Sequence, residues 1–177
     1  MDMKMRRTDR QVTDPAKVTQ FLEEAKFLHL GLNDEICPYI VPLHYGYCFE
    51  DGAISFWMHG AMEGHKLDLI RKDPHVFVEL ECDIAPISGG DEACRYGSAY
   101  ASIMGSGIAR ILEDPKEKAE GLQILMKHQT GRDFPISEKM AEAVAVIRVD
   151  LEQWTAKQRV MPAAGPSQPT GQRQKNI

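Results

Sequence analysis

The sequence contains no long hydrophobic run, and none of its apolar stretches approaches the roughly 18 residues that span a bilayer. The basic start, MDMKMRRTDRQ, has no apolar segment behind it and so does not resemble a secretory signal peptide. We therefore expect no membrane association and a cytoplasmic location.

Positive charge is also scarce. The chain has 21 Lys+Arg against 26 Asp+Glu, a formal net charge of −5. This balance argues against a nucleic-acid-binding surface, which needs a basic patch to meet the phosphate backbone. The length of 177 residues fits one domain, predicted over residues 1–160. The polar stretch 161–177 has the composition of a disordered tail. If it is ordered, we expect it to lie on a partner subunit or on a crystal neighbour.

Two motifs with strong chemical meaning are missing. None of the four cysteines forms the C-x2-C pair of a zinc or redox motif. No G-x-G-x-x-G stands at a strand-to-helix turn, which argues against a dinucleotide-binding α/β fold. Cys82 and Cys94 bracket a polar loop that could admit a metal, but free thiols in a reducing compartment are the favoured interpretation. We therefore expect no metal site.

What the sequence does contain is a series of short strands. Apolar patterning predicts strands at 27–32, 38–47, 53–59, 75–81, 98–112 and 143–151. Capping residues and helical spacing predict helices at about 14–26, 65–72, 114–129 and 137–142. Glu50-Asp51-Gly52 predicts a hairpin, and the stretch 83–97 predicts a long loop. Hairpin-linked strands exclude a doubly wound parallel sheet and favour a small antiparallel barrel with helices packed outside.

Pro42 lies inside the predicted strand 38–47. Proline has no backbone N–H and removes one donor from the hydrogen-bond ladder. The residue therefore predicts a sheet edge, a bulge or a place where a ligand approaches the strand.

The stretch WMHGAMEGHKLDLI crosses from a predicted strand into a predicted helix. Backbone N–H groups from Gly60 to Gly64, the positive end of the helix dipole and the Lys66 ammonium could together bind an anion. His59 and His65 could add further donors, and glycine lets the backbone come close to a phosphate. The alternative is a plain glycine-containing turn with a solvated lysine, which the stretch taken alone favours.

Five segments together resemble the flavin-binding split-barrel family, in particular the branch related to pyridoxamine 5′-phosphate oxidase that includes the 5-nitroimidazole resistance (Nim) proteins. The resemblance covers about residues 6–158. The segments are Arg6-Arg7, PYIVPLHYGY at 38–47, FWMHGAMEGHKLDLI at 56–70, the strand and helix at 100–131, and WTAKQ at 154–158.

The resemblance implies a six-stranded antiparallel split β-barrel with flanking helices. It also implies FMN held non-covalently at a homodimer interface, with both subunits contributing. The cofactor-binding positions it suggests are Val41, Pro42, Leu43, His44 and Tyr45 along the isoalloxazine edge, His59, Gly60, Gly64, His65 and Lys66 around the phosphate and ribityl chain, and Ser102, Trp154 and Lys157 as further contacts.

The sequence departs from the family pattern at three points, and these limit which family properties it is expected to share. His44 stands where the oxidase has a lysine facing its substrate, and no equivalent of the oxidase's substrate-binding arginines is found, so pyridoxamine phosphate is not the expected substrate. Ala156 replaces a glycine of the C-terminal motif, which leaves the geometry around Trp154 and Lys157 open. His44 is either a proton donor beside the flavin or a half-exposed strand histidine. His29, His75 and His128 are interpreted as structural.

Two functions follow from the resemblance. The first is an FMN-dependent oxidoreductase that reduces a small aromatic or nitroaromatic acceptor, with His44 as the catalytic candidate. The second is a flavin- or haem-binding carrier or sensor without efficient turnover, since fold does not determine function.

Overall fold

The computed structural model describes residues 5–162. The tail predicted at 161–177 therefore lies outside the described residues except for its first two positions. No helix in the described part of the chain is both long and apolar enough to cross a membrane.

The structure is mainly antiparallel β-sheet with helices on its flanks, which confirms the predicted fold class. The sheet order is β3-β2-β6-β7-β8-β5-β4, and β1 pairs with β8. The strands are β1 (Gln11–Val12), β2 (Phe27–Leu32), β3 (Tyr39–His44), β4 (Gly46–Glu50), β5 (Ala53–Gly60), β6 (His75–Ile87), β7 (Gly97–Ile111) and β8 (Ala145–Arg159). The helices are α1 (Pro15–Glu24), α2 (His65–Lys72), α3 (Pro115–Thr130) and α4 (Glu138–Ala141).

Local signals predicted the helix starts and the hairpin correctly. The Asp14 carboxylate accepts a hydrogen bond from the Ala16 N–H, and the Asp114 carboxylate accepts from two N–H groups of the first turn of α3. At the hairpin between β4 and β5, Asp51 and Gly52 have φ values of 50° and 81°. Two successive positive φ angles are typical of a tight hairpin turn, which explains why an Asp-Gly pair identifies it.

The strand count differs from the six that were predicted. The predicted strand 38–47 is two strands, because the chain bends at Tyr45 and pairs with β2 before the bend and with β5 after it. The short β1 was not predicted. The predicted loop 83–97 is also shorter, because β6 continues to Ile87 through a register shift between Cys82 and Ala85. An extra residue in a bulge lets a strand keep its pairing beyond an irregular position.

The bend at Tyr45 is fixed from inside the core. The Tyr45 side chain is fully buried. Its hydroxyl donates to the Leu22 carbonyl at 2.9 Å and to the Ala25 carbonyl at 3.0 Å. Both carbonyls lie at the carboxyl end of α1, where a helix leaves acceptors without intrahelical partners. One buried hydroxyl therefore ties α1 to the bend between β3 and β4.

Replacing Tyr45 by Phe is expected to lower the free energy of unfolding by about 1–3 kcal/mol, because two buried carbonyls lose their donor. Chemical denaturation with a far-UV circular dichroism readout measures the loss. Tyr47→Phe is the matched control: the Tyr47 hydroxyl donates to the exposed Glu23 carboxylate, and its loss is expected to stay within about 0.5 kcal/mol. Equal losses for the two variants would contradict this role of Tyr45.

Candidate functional site

Four predicted site residues meet where β3 approaches β5, at the split in the sheet. His44 ends β3, Gly60 ends β5 directly after His59, and Lys66 lies in the first turn of α2. A Cβ built on Gly60 would lie 2.8 Å from both Cε and Nζ of Lys66. The lysine side chain therefore folds over the Gly60 backbone, in space that any other residue at position 60 would fill.

The same residues form a group of basic side chains, which we call the cationic cluster: His44, His59 and Lys66. The pKa of His59 is lowered, first by partial burial and then by the neighbouring charges of His44 and Lys66. Within residues 5–162, Lys66 forms no ion pair, whereas Lys72 at the other end of α2 pairs with Glu35. An uncompensated charge of this kind is available to an anion.

Helix α2 adds backbone donors beside the cluster. Its N-cap is Gly64, with φ 139° and no side-chain capping bond. The Leu67 and Asp68 N–H groups donate to the Gly64 carbonyl at 2.9 and 3.3 Å. Because glycine supplies no side-chain acceptor, the N–H groups that precede them face the helix entrance, where the dipole is positive.

His65 is held differently from Lys66. Its Nε2 donates to the Asp34 carboxylate at 2.8 Å, and this bond is the main reason why the pKa of Asp34 is lowered. The ring also meets the Tyr39 ring edge-on at 5.0 Å. His65 thus ties the loop before β3 to α2, and its role at an anion remains a prediction.

The other predicted positions on β3 divide between the two faces of the strand. Val41 and Leu43 pack against the core, while Pro42 is exposed and pairs with His29. The expectation of a sheet edge at Pro42 is confirmed, because β3 ends the sheet order. The Tyr45 side chain lies in the core, so the predicted cofactor contact of this residue concerns its backbone and stays a prediction.

One chain does not bring the remaining predicted residues to the cationic cluster. Ser102 and Lys157 are directly paired on β7 and β8, and the Lys157 ammonium lies 5.8 Å from the centre of the Tyr100 ring. The Trp154 indole donates to the Gly52 carbonyl at 2.9 Å. Gly52 precedes β5 and Gly60 ends it, so the 8 residues of β5, about 25 Å, separate Trp154 from the cluster.

Sequence reasoning missed two neighbours of His44. The Phe27 ring lies 4.1 Å from the His44 ring, centroid to centroid. Gln129 Oε1 lies 2.8 Å from His44 Nδ1. No local pattern marks either contact, since the first joins partners on the neighbouring strands β2 and β3 and the second joins β3 to the end of α3, 85 residues later.

A second group of ionisable residues lies on the outer face of the sheet. His29 Nδ1 is 3.1 Å from Glu79 and 3.7 Å from Glu81. Burial, followed by the hydrogen bond and charge of Glu81, raises the pKa of Glu79 to about 7. The ligand atoms of these three residues lie within 4.8 Å of one another, as a metal site would require. His29 already bonds to Glu79, and Glu79 and Glu81 lie close enough to raise the pKa of Glu79, so the three residues form a proton-sharing cluster.

The comparisons with known proteins agree with the fold. The model of the pyridoxamine 5′-phosphate oxidase family matches residues 14–158. A crystal structure described as a candidate 5-nitroimidazole antibiotic resistance protein from Bacteroides thetaiotaomicron superposes with a TM-score of 0.70 at 26% identity, covering 84% of this chain and 86% of that one. No curated protein matches the chain.

Two further solved structures share the fold at lower identity. A flavocytochrome from Azotobacter vinelandii has a TM-score of 0.72 at 19% identity, covering 92% of this chain and 75% of that one. A protein described as binding FAD and haem, from Mycobacterium smegmatis, has a TM-score of 0.70 at 15% identity, covering 88% and 77%.

The raised pKa of Glu79 predicts a pH dependence of stability. The folded protein keeps the Glu79 proton up to about pH 7, whereas an unfolded glutamate loses it near pH 4.3. Protonated Glu79 therefore contributes fully to the stability of the fold below the unfolded pKa, and this contribution is lost as the pH rises through about 7. Because the side chain is partly exposed, we expect Glu79→Gln to be more stable than the wild type by only about 1 kcal/mol at pH 8.

Urea denaturation at pH 4.5 and pH 8 tests this, and the difference between variant and wild type should vanish at the lower pH. Glu152→Gln, on an exposed position of β8, is the control, and its free energy of unfolding should differ from that of wild type by the same amount at both pH values. A Glu79→Gln difference that does not change with pH would contradict the assignment.

Proposed function

The chain belongs to the pyridoxamine 5′-phosphate oxidase family, and on that basis we propose that it is an FMN-binding oxidoreductase that reduces small aromatic acceptors, including nitroaromatic compounds. The observation that carries the proposal is the cationic cluster at the amino end of α2, with the Lys66 side chain folded over Gly60.

These residues fit a flavin phosphate. The Lys66 ammonium, the uncapped start of α2 and His59 offer a charge, backbone donors and a ring nitrogen in one place. A phosphate dianion gains from each of these groups, and more so where glycine permits close approach. His65 adds a donor to this set only if its bond to Asp34 is exchanged.

The edge of β3 fits the flavin ring. An edge strand leaves backbone N–H and C=O groups unpaired on its outer side. The ring offers both acceptors and donors along its pyrimidine edge, so Val41, Pro42 and Leu43 are the proposed contacts. Pro42 fits there because its missing N–H costs no hydrogen bond that β3 would make with another strand.

A second copy of the chain completes the proposed site. Ser102, Trp154 and Lys157 lie away from the cluster of their own chain. Three apolar side chains on the outer face of the sheet are strongly exposed: Phe27 at 51%, Ile40 at 62% and Met104 at 41%. Apolar side chains grouped on one sheet face are covered in stable homodimers. We therefore propose a homodimer in which the outer face of one protomer meets the cofactor of the other.

The proposed chemistry divides the work between cofactor and protein. Bound flavin would supply the redox chemistry, with a nicotinamide as electron donor. The protein orients the acceptor against β3 and supplies a proton from His44, whose ring lies on Phe27. The Bacteroides neighbour described as a nitroimidazole resistance protein supports a nitroaromatic acceptor.

The alternative is a flavin- or haem-binding carrier or sensor without efficient turnover. Two neighbours that share the fold are described as a flavocytochrome and as a protein binding FAD and haem. The same cationic cluster would suit the phosphates of FAD or the propionates of haem, so the cluster alone does not decide between them.

Lys66→Ala is expected to weaken FMN binding about tenfold or more, because a charge-assisted hydrogen bond to the phosphate is lost. Fluorescence titration of the flavin-free protein with FMN measures the dissociation constant. Lys72→Ala is the matched control on the same helix, since Lys72 pairs with Glu35 in the last turn. Equal dissociation constants for the Lys66→Ala variant and wild type would remove the proposed phosphate site.

The absorption spectrum and turnover of the purified protein separate the two functions. An FMN-dependent enzyme should show flavin bands and should oxidise NAD(P)H steadily only when a nitroimidazole is present. Flavin released by denaturation should chromatograph as FMN. A Soret band, or released FAD, would replace FMN as the cofactor, and a flavin-loaded protein without acceptor-dependent turnover would favour the carrier.

A further inference from the structure

Gln129 lies at the carboxyl end of α3 and contacts the bend between β3 and β4 with both ends of its amide. Its Nε2 donates to the Tyr45 carbonyl at 2.7 Å and to the Lys26 carbonyl at 3.2 Å. Its Oε1 lies 2.8 Å from His44 Nδ1. Gln129 is therefore the only residue among those described that bonds both to the backbone of the bend and to the His44 ring.

The two carbonyls determine how the amide is oriented. A backbone carbonyl can only accept a hydrogen bond, so the amide nitrogen of Gln129 must face Tyr45 and Lys26. Its oxygen is then left facing His44. An amide oxygen also only accepts, so the hydrogen between Gln129 and His44 must be carried by His44 Nδ1.

A second acceptor supports the same assignment. The Lys26 carbonyl lies 3.3 Å from His44 Nδ1. Both groups that approach this nitrogen are thus oxygens without a hydrogen to give. The hydrogen bond made by one ring nitrogen of a histidine decides which nitrogen is protonated in the neutral ring.

His128, the residue before Gln129 in α3, also holds the end of this helix against the bend. Its Nδ1 lies 2.7 Å from the Tyr45 carbonyl, and its side chain is buried. The Tyr45 carbonyl therefore receives donors from two consecutive helix residues. The end of α3 cannot shift along β3 without breaking both bonds, so Gln129 is held in place relative to His44.

We propose that Gln129 is a positioning residue that holds His44 as the Nδ1–H tautomer and so confines proton exchange with a bound acceptor to His44 Nε2. The use of this proton in acceptor reduction rests on the proposed function. In that step the Nε2–H bond of the imidazolium breaks and an O–H bond forms on the reduced acceptor. His44 returns to the neutral ring, in which the Nδ1–H group still donates its hydrogen bond to Gln129 Oε1.

The groups that face His44 from neighbouring elements favour the same roles for its two ring nitrogens. Phe27 covers a face of the ring from β2. His59 faces His44 across the split, near enough that the charges of His44 and Lys66 both act on it. Nδ1 faces α3 and the backbone after α1, so Nε2 is the nitrogen left for the side of the cationic cluster.

Long-range ¹H–¹⁵N correlation spectra of the flavin-free, ¹⁵N-histidine-labelled protein at pH 8 test the proposal. The ring nitrogens of His44 are assigned by the signals that disappear in His44→Gln. Wild-type His44 is expected to show a protonated Nδ1 and an unprotonated Nε2. The opposite pattern, which free histidine favours, would overturn the proposal without recourse to any variant.

Gln129→Met removes the acceptor and should shift the ratio of the two His44 tautomers about fivefold toward Nε2–H, the effect of losing one neutral hydrogen bond. Gln123→Met, at an exposed position of the same helix, should leave the ratio unchanged. A Gln129→Met ratio equal to that of wild type would assign the tautomer to the Lys26 carbonyl and overturn the role of Gln129.

These spectra need no cofactor, so they separate this proposal from the proposed function. A protein that binds no flavin but shows the Nδ1–H tautomer would refute the function and keep the role of Gln129. A flavin enzyme whose His44 carries Nε2–H in the flavin-free state would keep the proposed function and refute the role of Gln129.

Discussion

The bend at Tyr45 is the constraint on which the rest of the structure depends. The hydroxyl of Tyr45 binds the end of α1, and its carbonyl receives donors from His128 and Gln129 at the end of α3. The next residue, Gly46, lies against the α3 backbone so closely that a Cβ would come within 2.4 Å of the Leu125 nitrogen. Two helices and two strands therefore meet at two consecutive residues, and a change in the bend would move all four.

The bend also explains why the site lies where it does. Because the chain turns there, β3 and β4 occupy opposite ends of the sheet order, and β3 keeps one edge unpaired where it approaches β5. The cationic cluster forms at this split: His44 ends β3, His59 is near the end of β5, and Lys66 begins α2. The unpaired edge and the positive charge thus have one structural origin.

Sequence reasoning succeeded where the information is local and failed where it is tertiary. Asp114 before Pro115 and Asp51-Gly52 specify a helix start and a hairpin through bonds within a few residues, so both were predicted. The break at Tyr45 was not, because an aromatic residue in an apolar run is also typical of an uninterrupted strand. The resemblance placed His59 and Lys66 together at the phosphate and His44 on the isoalloxazine strand, and the structure shows that His44 also lies close to His59. The contact of Gln129 with His44 had no sequence signal, since a polar residue in the last turn of a helix usually faces solvent.

The neighbours of α2 show how a chain with a net charge of −5 can still present the proposed anion site. Consecutive residues His65 and Lys66 point to different partners. His65 donates a hydrogen bond to the Asp34 carboxylate and so holds the loop before β3. This carboxylate therefore pairs with His65 and not with Lys66. Helix geometry turns successive side chains by about 100°, which makes this separation a direct consequence of placing both residues in one turn. The Asp34 carboxylate is thereby used for folding, and in the described part of the chain the ammonium of Lys66 keeps its charge free of an ion pair.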